Sequence, residues 1–131
     1  MTSHLRHSLL VFCCLGLFGC EKPEGEGGTS TIQGRVFARD YNSSGVFQGE
    51  FYSPDEDVYI IYGEDDNYYD DSYKTSFDGS FRFQYLRPGT YRIFVYSDCL
   101  SCPSGTEEMM QTVVISKNNE DIVLDDFEIR K

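Results

Sequence analysis

The sequence from Tyr73 to Tyr96 reads Tyr-Lys-Thr-Ser-Phe-Asp-Gly-Ser-Phe-Arg-Phe-Gln-Tyr-Leu-Arg-Pro-Gly-Thr-Tyr-Arg-Ile-Phe-Val-Tyr. It holds three short runs of alternating apolar and polar residues, separated by Asp78-Gly79 and by Pro88-Gly89. Alternation at every second position is typical of strands with one face on a core, and Asp-Gly between two such runs indicates a hairpin. Pro-Gly supplies the residues of a type II turn. The stretch therefore predicts three consecutive antiparallel strands at the centre of the fold.

The last of these runs has a clear inner and outer face. Tyr91, Ile93 and Val95 share the predicted core face, while Phe94 and Tyr96 face the other way and are free to pair across strands. Tyr91 directly follows the Pro-Gly bend. We expect its ring to pack inward and its hydroxyl to bond a backbone group a few residues upstream, as in the tyrosine corner of Greek-key sandwiches.

Further strand patterns flank this centre, and no pattern predicts a helix of ordinary length. The additional strands are predicted at Thr31–Arg39, Val58–Tyr62, Thr112–Ser116 and Asp121–Ile129. Seven short strands separated by turn signals are typical of an all-β sandwich. The sequence thus predicts a single seven-stranded Greek-key β-sandwich that spans residues 31–131.

The first 19 residues predict a cleaved export signal. Arg6 precedes an apolar run, Leu9–Gly19, that is too short to cross a bilayer as an ordinary helix. The run ends in Leu17-Phe18-Gly19-Cys20, which resembles the lipobox of bacterial lipoproteins. That resemblance implies a signal peptide at residues 1–19 and a lipid on Cys20 that anchors the chain to a membrane. The alternatives are a plain secretory signal with an incidental cysteine and, less favoured by the length of the run, a retained membrane helix.

Residues 20–30 predict a flexible tether, because they are charged, rich in glycine and without large apolar side chains. Their acidic start is similar to the short export signals that place lipoproteins of Bacteroidota on the outer face of the outer membrane. The expected location is therefore the cell envelope, with the protein lipid-anchored at the outer membrane and displayed on the surface.

The charge of the chain restricts its partners. Loss of residues 1–19 removes Arg6 and no acidic residue, which leaves ten of the 11 Lys and Arg residues against 22 Asp and Glu, a formal charge of −12. Such a surface repels phosphate backbones, so nucleic acid binding is excluded. It also argues against docking on anionic lipid by charge.

Two cysteines remain once Cys13 and Cys14 leave with the signal and Cys20 carries lipid. In an oxidising compartment this pair, Cys99 and Cys102, predicts a disulfide. The Cys-Leu-Ser-Cys spacing is also found in redox sites, but no long helix follows and neighbouring acidic residues disfavour a reactive thiolate. A zinc site lacks the further Cys or His residues needed for four ligands.

Two predicted loops carry candidate binding residues. The loop from Asp40 to Asp57 is unusually long and contains four aromatic residues, which predict either a packed flap or a binding surface; they are Tyr41, Phe47, Phe51 and Tyr52. The loop after Gly63 is dense in oxygen ligands that suit Ca²⁺, although its spacing does not match an EF-hand. Its candidate ligands are Asp65, Asp66, Asn67, Asp70 and Asp71, and a solvated loop tip is the alternative. No other cofactor is expected.

Several motifs together resemble the carboxypeptidase regulatory-like, or transthyretin-like, β-sandwich. They are Ile32-Gln-Gly34-Arg-Val36, Val58-Tyr-Ile60, Asp78-Gly-Ser-Phe-Arg-Phe83 and Leu86-Arg-Pro-Gly-Thr-Tyr91. The chain departs from the family pattern at Asp55 and Asp57, and its loop from Asp40 to Asp57 is longer. The resemblance implies an accessory module that accompanies surface receptors and lipoproteins and has no chemistry of its own.

The residues point independently to a protein that is not an enzyme. The two histidines, His4 and His7, both lie in the signal, so the mature chain lacks the usual base and metal ligand. We expect a membrane-anchored envelope lipoprotein whose sandwich is a non-catalytic binding or spacer module for an outer-membrane or surface complex. The alternative is a calcium-dependent or carbohydrate-binding surface protein that uses the acidic loop with Tyr68, Tyr69 and Tyr73.

Overall fold

A computed structural model describes residues 23–131 of the chain, so the predicted signal peptide and the predicted lipidation of Cys20 lie outside the described residues. The described residues form nine strands: β1 Glu26–Tyr41, β2 Phe47–Tyr52, β3 Asp57–Tyr62, β4 Asp71–Lys74, β5 Ser80–Leu86, β6 Gly89–Asp98, β7 Thr106–Ile115, β8 Asp121–Val123 and β9 Phe127–Arg130. Within residues 23–131 there is no helix with the length and apolarity needed to cross a membrane.

The strands form two sheets, which confirms the predicted all-β sandwich. In the first sheet β1 is central: it pairs antiparallel with β5 and β2 along one edge and parallel with β8 and β9 along the other. The second sheet has the order β4-β3-β6-β7, and all its neighbours are antiparallel. The 16 residues of β1 therefore hold four other strands in place.

The core lies between the sheets and follows the alternation in the sequence. On β6 the side chains of Tyr91, Ile93 and Val95 are fully or almost fully buried, as predicted. Phe81 and Phe83 of β5 face them from the other sheet. The remaining core is largely aliphatic and comes mainly from β1, β3 and the chain's last strand: Ile32, Val36, Ala38, Val58, Ile60, Leu86, Ile115, Phe127 and Ile129.

The prediction that the central strands form consecutive hairpins is wrong. β5 belongs to the first sheet, whereas β4 and β6, which precede and follow it, belong to the second. The Asp78-Gly79 turn exists, with Gly79 at a φ of 76° and Asp78 accepting hydrogen bonds from Ser80, but it carries the chain across the sandwich. A turn signal specifies a chain reversal and does not specify which sheet receives the next strand.

The strand count and the predicted loop from Asp40 to Asp57 also need correction. Part of that loop forms β2, which pairs with the end of β1 as a hairpin. The predicted last strand divides into β8 and β9, because the chain leaves β1 after Val123 and rejoins it at Phe127. These two changes account for nine strands in place of seven.

The domain begins earlier than residue 31. β1 starts at Glu26, and Gly25 and Ser30 are buried, so the described part of the predicted tether belongs to the sandwich. The glycines that indicated flexibility instead allow close contact between main chains, since a Cβ on Gly28 would overlap the carbonyl of Leu86.

The predicted tyrosine corner is confirmed. The side chain of Tyr91 is fully buried, and its hydroxyl donates to the carbonyl oxygen of Arg87, four residues upstream, at 2.6 Å. The hydroxyl oxygen of Tyr91 also accepts a hydrogen bond from the main-chain N–H of Gly25 at 2.9 Å. Tyr91 thus joins the bend before β6 to the first residues of the described chain.

Candidate functional site

The outer face of the second sheet carries a cluster of aromatic side chains. Strand pairing aligns Tyr59 of β3 with Phe94 of β6, and Phe94 with Met110 of β7. Tyr96 lies two residues further along β6, and Tyr69 comes from the loop between β3 and β4. We call these five residues the aromatic face. It exists because the outward positions of two neighbouring strands both hold aromatic residues at the same level.

Tyr59 is the centre of the aromatic face. Its ring centroid lies 4.8 Å from that of Tyr69, 5.0 Å from that of Phe94 and 5.8 Å from that of Tyr96. The rings of Phe94 and Tyr96 are themselves 5.6 Å apart and nearly perpendicular. Pairs at these separations are mutually stabilising, so the rings hold one another in place.

The five side chains of the aromatic face differ in their exposure to solvent. Phe94 is only 4% exposed, and Tyr59 is half-buried. Tyr69, Tyr96 and Met110 are 56%, 46% and 41% exposed. The exposed side chains thus form an apolar surface that lies over the more buried rings of Phe94 and Tyr59. An exposed apolar patch of this kind is typical of a binding surface.

The loop that carries Tyr69 is fixed to the sheet beneath it. Arg92 of β6 donates from Nε to the carbonyl of Gly63 at 3.1 Å and from Nη2 to the carbonyl of Asp66. Asp70 accepts the main-chain N–H of Tyr62 at 2.7 Å. These bonds at both ends of the loop position the Tyr69 ring over Tyr59.

Polar groups border the aromatic face. The Tyr96 hydroxyl donates to Oε1 of Glu108 at 3.5 Å, and Lys74 forms an ion pair with Asp57 at 2.9 Å. Burial raises the pKa of Tyr59, and the negative charge of Asp57 raises it further. Burial and Glu108 raise the pKa of Tyr96 in the same way. Both hydroxyls are therefore protonated at neutral pH and are able to donate and accept hydrogen bonds.

The tyrosines predicted to act together with the acidic loop are separated by the fold. Tyr69 joins the aromatic face, while Tyr68 is 82% exposed. Tyr73 lies at the side of the sandwich, where its ring is 6.3 Å from that of Phe83. Only one of the three predicted tyrosines is therefore part of the cluster.

The carboxylates of the acidic loop do not come together as a ligand set. Asp66 accepts the N–H of Tyr68 at 2.8 Å, Asp70 bonds Tyr62, and Asp71 bonds the N–H of Ser72 at 2.8 Å. Among residues 23–131 the one group of three potential metal ligands is Cys99, Cys102 and Glu107. Calcium binding by Asp65, Asp66, Asn67, Asp70 and Asp71 stays a prediction.

Cys99 and Cys102 form the predicted disulfide, with their Cα atoms 5.3 Å apart. Both sulfurs are thereby removed from metal ligation. The bridge closes the loop between β6 and β7, which places Leu100 at its tip with 84% of its surface exposed.

The aromatic residues of the predicted loop belong to the hairpin of β1 and β2 and have different environments. Tyr41 lies under the guanidinium of Arg130 at 3.8 Å, and Tyr52 donates to Asp126 at 2.8 Å. Phe47 and Phe51 are 51% and 41% exposed. Two of the four predicted residues are thus engaged within the domain, and two present apolar surface.

The tip of this hairpin adjoins the disulfide loop. Tyr41, Asn42 and Ser43 line a surface depression together with Asp98 and Leu100. We call this end of the sandwich, with the hairpin tip and the disulfide loop, the hairpin pole.

No family model matches this chain, and no curated protein matches it. Among solved structures, the chain is similar to the crystal structure of a candidate carbohydrate-binding protein from Pseudomonas aeruginosa, with 15% sequence identity and a TM-score of 0.46. The similarity covers 77% of this chain and 90% of that chain. At that identity and TM-score the likeness does not extend to a site or an activity. The resemblance to the carboxypeptidase regulatory-like family stays a prediction from the motif residues.

Tyr59, Phe94, Tyr96 and Met110 were not predicted as a site from the sequence. A signal was present, because the alternation on β6 puts Phe94 and Tyr96 on the solvent side, where strands more often carry polar residues. Recognising the cluster also required the pairing of β3 with β6, and no local pattern supplies that pairing.

Proposed function

We propose that the protein is a non-catalytic, lipid-anchored binding module of the cell envelope and that its aromatic face binds neutral carbohydrate. The observation that carries this proposal is the open cluster of Tyr59, Tyr69 and Tyr96 above the buried Phe94. Support for the lipid anchor comes from the sequence alone, through the lipobox-like residues before Cys20.

The aromatic face has the two kinds of surface that a sugar ring requires. One side of a pyranose is lined by C–H groups, which pack against the face of an aromatic ring. Its hydroxyls need hydrogen-bond partners, since polar groups buried without partners lower affinity. Tyr96, Glu108 and Asp57 place such partners at the border of the rings. Tyrosine suits this role because one side chain supplies both the apolar ring and the hydroxyl.

Charge favours a neutral ligand over an anionic one. Carboxylates of Asp57 and Glu108 flank the rings, and the nearby cation of Lys74 is already paired with Asp57. A phosphate, sulfate or uronate would approach these carboxylates against electrostatic repulsion, which the overall acidity of the chain increases. Sugar hydroxyls, in contrast, are good donors to carboxylates.

Two common forms of nucleophilic catalysis are not available to the mature chain. The sequence has no histidine after residue 7, so Ser-His and Cys-His nucleophiles are not available to the mature chain. Cys99 and Cys102 are joined in a disulfide, and Asp57 is held as an ion pair with Lys74. The aromatic face therefore has groups that suit recognition of a ligand.

We expect Tyr96→Ala to weaken carbohydrate binding by about two- to twelvefold, since stacking on one aromatic ring contributes about 0.5–1.5 kcal/mol. The matched control is Tyr68→Ala, which removes a more exposed tyrosine that lies outside the cluster. Binding is measured by calorimetry with a panel of neutral oligosaccharides of glucose, xylose, mannose and N-acetylglucosamine. Thermal unfolding of both variants checks that the sandwich is intact.

If Tyr96→Ala, Tyr68→Ala and the native protein bind the oligosaccharide with equal affinity, the aromatic face is not the binding site. Failure of every neutral oligosaccharide to bind the native protein would contradict carbohydrate binding. Repeating the titrations with Ca²⁺ and with a chelator measures whether the acidic loop contributes.

A protein partner at the hairpin pole is the second candidate function, and the exposed apolar side chains there favour it. Val46, Phe47 and Leu100 are 56%, 51% and 84% exposed; the first two lie at the tip of the β1–β2 hairpin, and Leu100 lies in the adjoining disulfide loop. Apolar side chains gathered at one end of a domain are typical of an interface with another protein. An outer-membrane or surface complex is the partner that the sequence-based prediction favours.

Replacing Val46 and Phe47 by serine is expected to abolish co-purification of such a partner after crosslinking in intact cells. The melting temperature should change little, since both side chains are exposed. Phe77→Ser is the control, because Phe77 is 95% exposed and lies outside the hairpin pole. Recovery of the same partner by all variants would place the interface elsewhere, and recovery of no partner would leave carbohydrate binding as the sole candidate.

A further inference from the structure

The first residues of the described chain are bound tightly to one end of the sandwich. Nε of Arg87 donates to the carbonyl of Pro23 at 2.7 Å, and the main-chain N–H of Arg87 donates to the carbonyl of Gly25 at 2.8 Å. The N–H of Gly25 donates to the buried hydroxyl of Tyr91 at 2.9 Å. We call Pro23–Gly28, with these partners, the N-terminal clamp. Hydrogen bonds on both polar atoms of Gly25 fix the direction in which the chain enters the domain.

The glycines of the clamp are required for contact with the fold. A Cβ on Gly27 would lie 2.8 Å from Nη1 of Arg87, and a Cβ on Gly28 would overlap the carbonyl of Leu86. In the same way the side chain of Glu24 occupies the space that Gly89 leaves open. A segment that fits this closely against main-chain atoms has no freedom to act as a linker.

The clamp leaves very little chain between the domain and Cys20. Cys20 precedes Pro23 by three residues, so their Cα atoms are separated by at most about 11 Å even when that chain is fully extended. A free tether over residues 20–30 would reach about 35 Å. The clamp therefore reduces the reach of a lipid on Cys20 by roughly a factor of three.

We propose that the clamp turns lipid attachment into a short and directional connection to the bilayer. It holds residues 23–25, 87–89 and 117–119, the N-terminal pole, against the membrane surface. Asn118 belongs to this pole because it borders the same surface cavity as Pro23 and Arg87. This inference rests on the lipidation of Cys20 in the proposed function.

The direction of β1 then decides what the protein presents away from the membrane. β1 runs from the clamp to Tyr41, and its part after the register shift between Glu26 and Ser30 covers 11 residue steps, at most about 36 Å at 3.3 Å per residue. The hairpin pole, with Val46, Phe47 and Leu100, is thus the part of the domain most distant from the bilayer. The aromatic face lies on the side of the sandwich, and the loop that carries Tyr69 begins at Gly63, beside Glu24 of the clamp.

The test uses the lipidated protein in phosphatidylcholine vesicles that contain a headgroup-quencher phosphatidylethanolamine. A fluorophore is placed on Asn118→Cys at the N-terminal pole or on Ser44→Cys at the hairpin pole, both of which are exposed positions. We expect quenching at position 118 to exceed that at 44 by about threefold or more, because the two sites lie near opposite ends of β1, roughly 35 Å apart. The control inserts ten Gly and Ser residues between Lys22 and Pro23, which leaves every contact of the clamp in place.

With the insertion, the ratio of quenching at position 118 to quenching at position 44 is expected to fall to nearly one, since the domain is then free to reorient. A ratio near one in the native protein, or a native ratio that the insertion does not change, would overturn the clamp as an orienting device. Mass spectrometry of the N-terminal peptide tests the anchor separately. An unmodified Cys20 would overturn both the lipid anchor and this inference, whereas a lipidated Cys20 with equal quenching would overturn the inference alone.

Discussion

Phe81→Ala is expected to lower the free energy of unfolding by about 3–5 kcal/mol, which is the usual cost of removing a fully packed phenylalanine from a core. Phe81 is 2% exposed, and its ring lies 6.0 Å from that of Phe83 and 5.9 Å from that of Phe127. It also fills the space above Gly34, where a Cβ would lie 2.9 Å from the ring. Because native stability is about 5–15 kcal/mol in total, this loss is a large share of it. Denaturant unfolding measures the change.

Phe77→Ala is the matched control. Phe77 lies four residues earlier in the same turn region but is 95% exposed, so we expect a change of less than about 0.5 kcal/mol. If the two variants lose similar amounts of unfolding free energy, the difference in burial between Phe81 and Phe77 is contradicted. Should Phe81→Ala be too unstable to purify, Phe81→Leu gives a smaller loss in the same direction.

Tyr91→Ala is expected to cost about 3–5 kcal/mol as well, for two reasons that can be separated. The ring is fully buried and packs against Tyr62, with the ring centroids 5.7 Å apart. The hydroxyl bonds Arg87 and Gly25. Tyr91→Phe keeps the ring and removes the hydroxyl, so its expected cost is about 1–3 kcal/mol from the polar groups left without a partner.

Amide hydrogen exchange distinguishes the two roles of Tyr91. In Tyr91→Phe the amide of Gly25 loses its acceptor, so its exchange should accelerate more than that of the β6 core residues Ile93 and Val95. A uniform acceleration across β6 and the clamp would mean that the hydroxyl supports the whole sandwich and not the N-terminal segment in particular. Unchanged exchange at Gly25 would contradict the hydrogen bond.

The proposed binding surfaces and the core depend on the same strands. Tyr91, Ile93 and Val95 hold β6 in the core with their inward side chains, while Phe94 and Tyr96 form part of the aromatic face on the other side. A substitution on the outward side therefore tests binding with little effect on the core. This separation makes Tyr96 a better probe of function than any residue on the inward side.

The sequence by itself determined those features that depend on neighbouring residues. Alternation on β6 predicted which side chains face the core, and the bend at Pro88-Gly89 predicted the tyrosine corner. The pair of cysteines after Cys20 predicted the disulfide. The lack of histidine after residue 7 excluded several catalytic mechanisms without any structure.

Only the tertiary structure decided which strands are neighbours, and this strand pairing brings the residues of the candidate site together. Tyr59 meets Tyr96 because β3 pairs with β6, and Gly25 meets Tyr91 across 66 positions of sequence. The same distant contact makes the glycine-rich segment a clamp, although its composition alone indicates a tether. Turn and periodicity signals act over a few residues, whereas strand pairing is selected by how the whole core packs, so contacts between distant residues cannot be derived from local patterns.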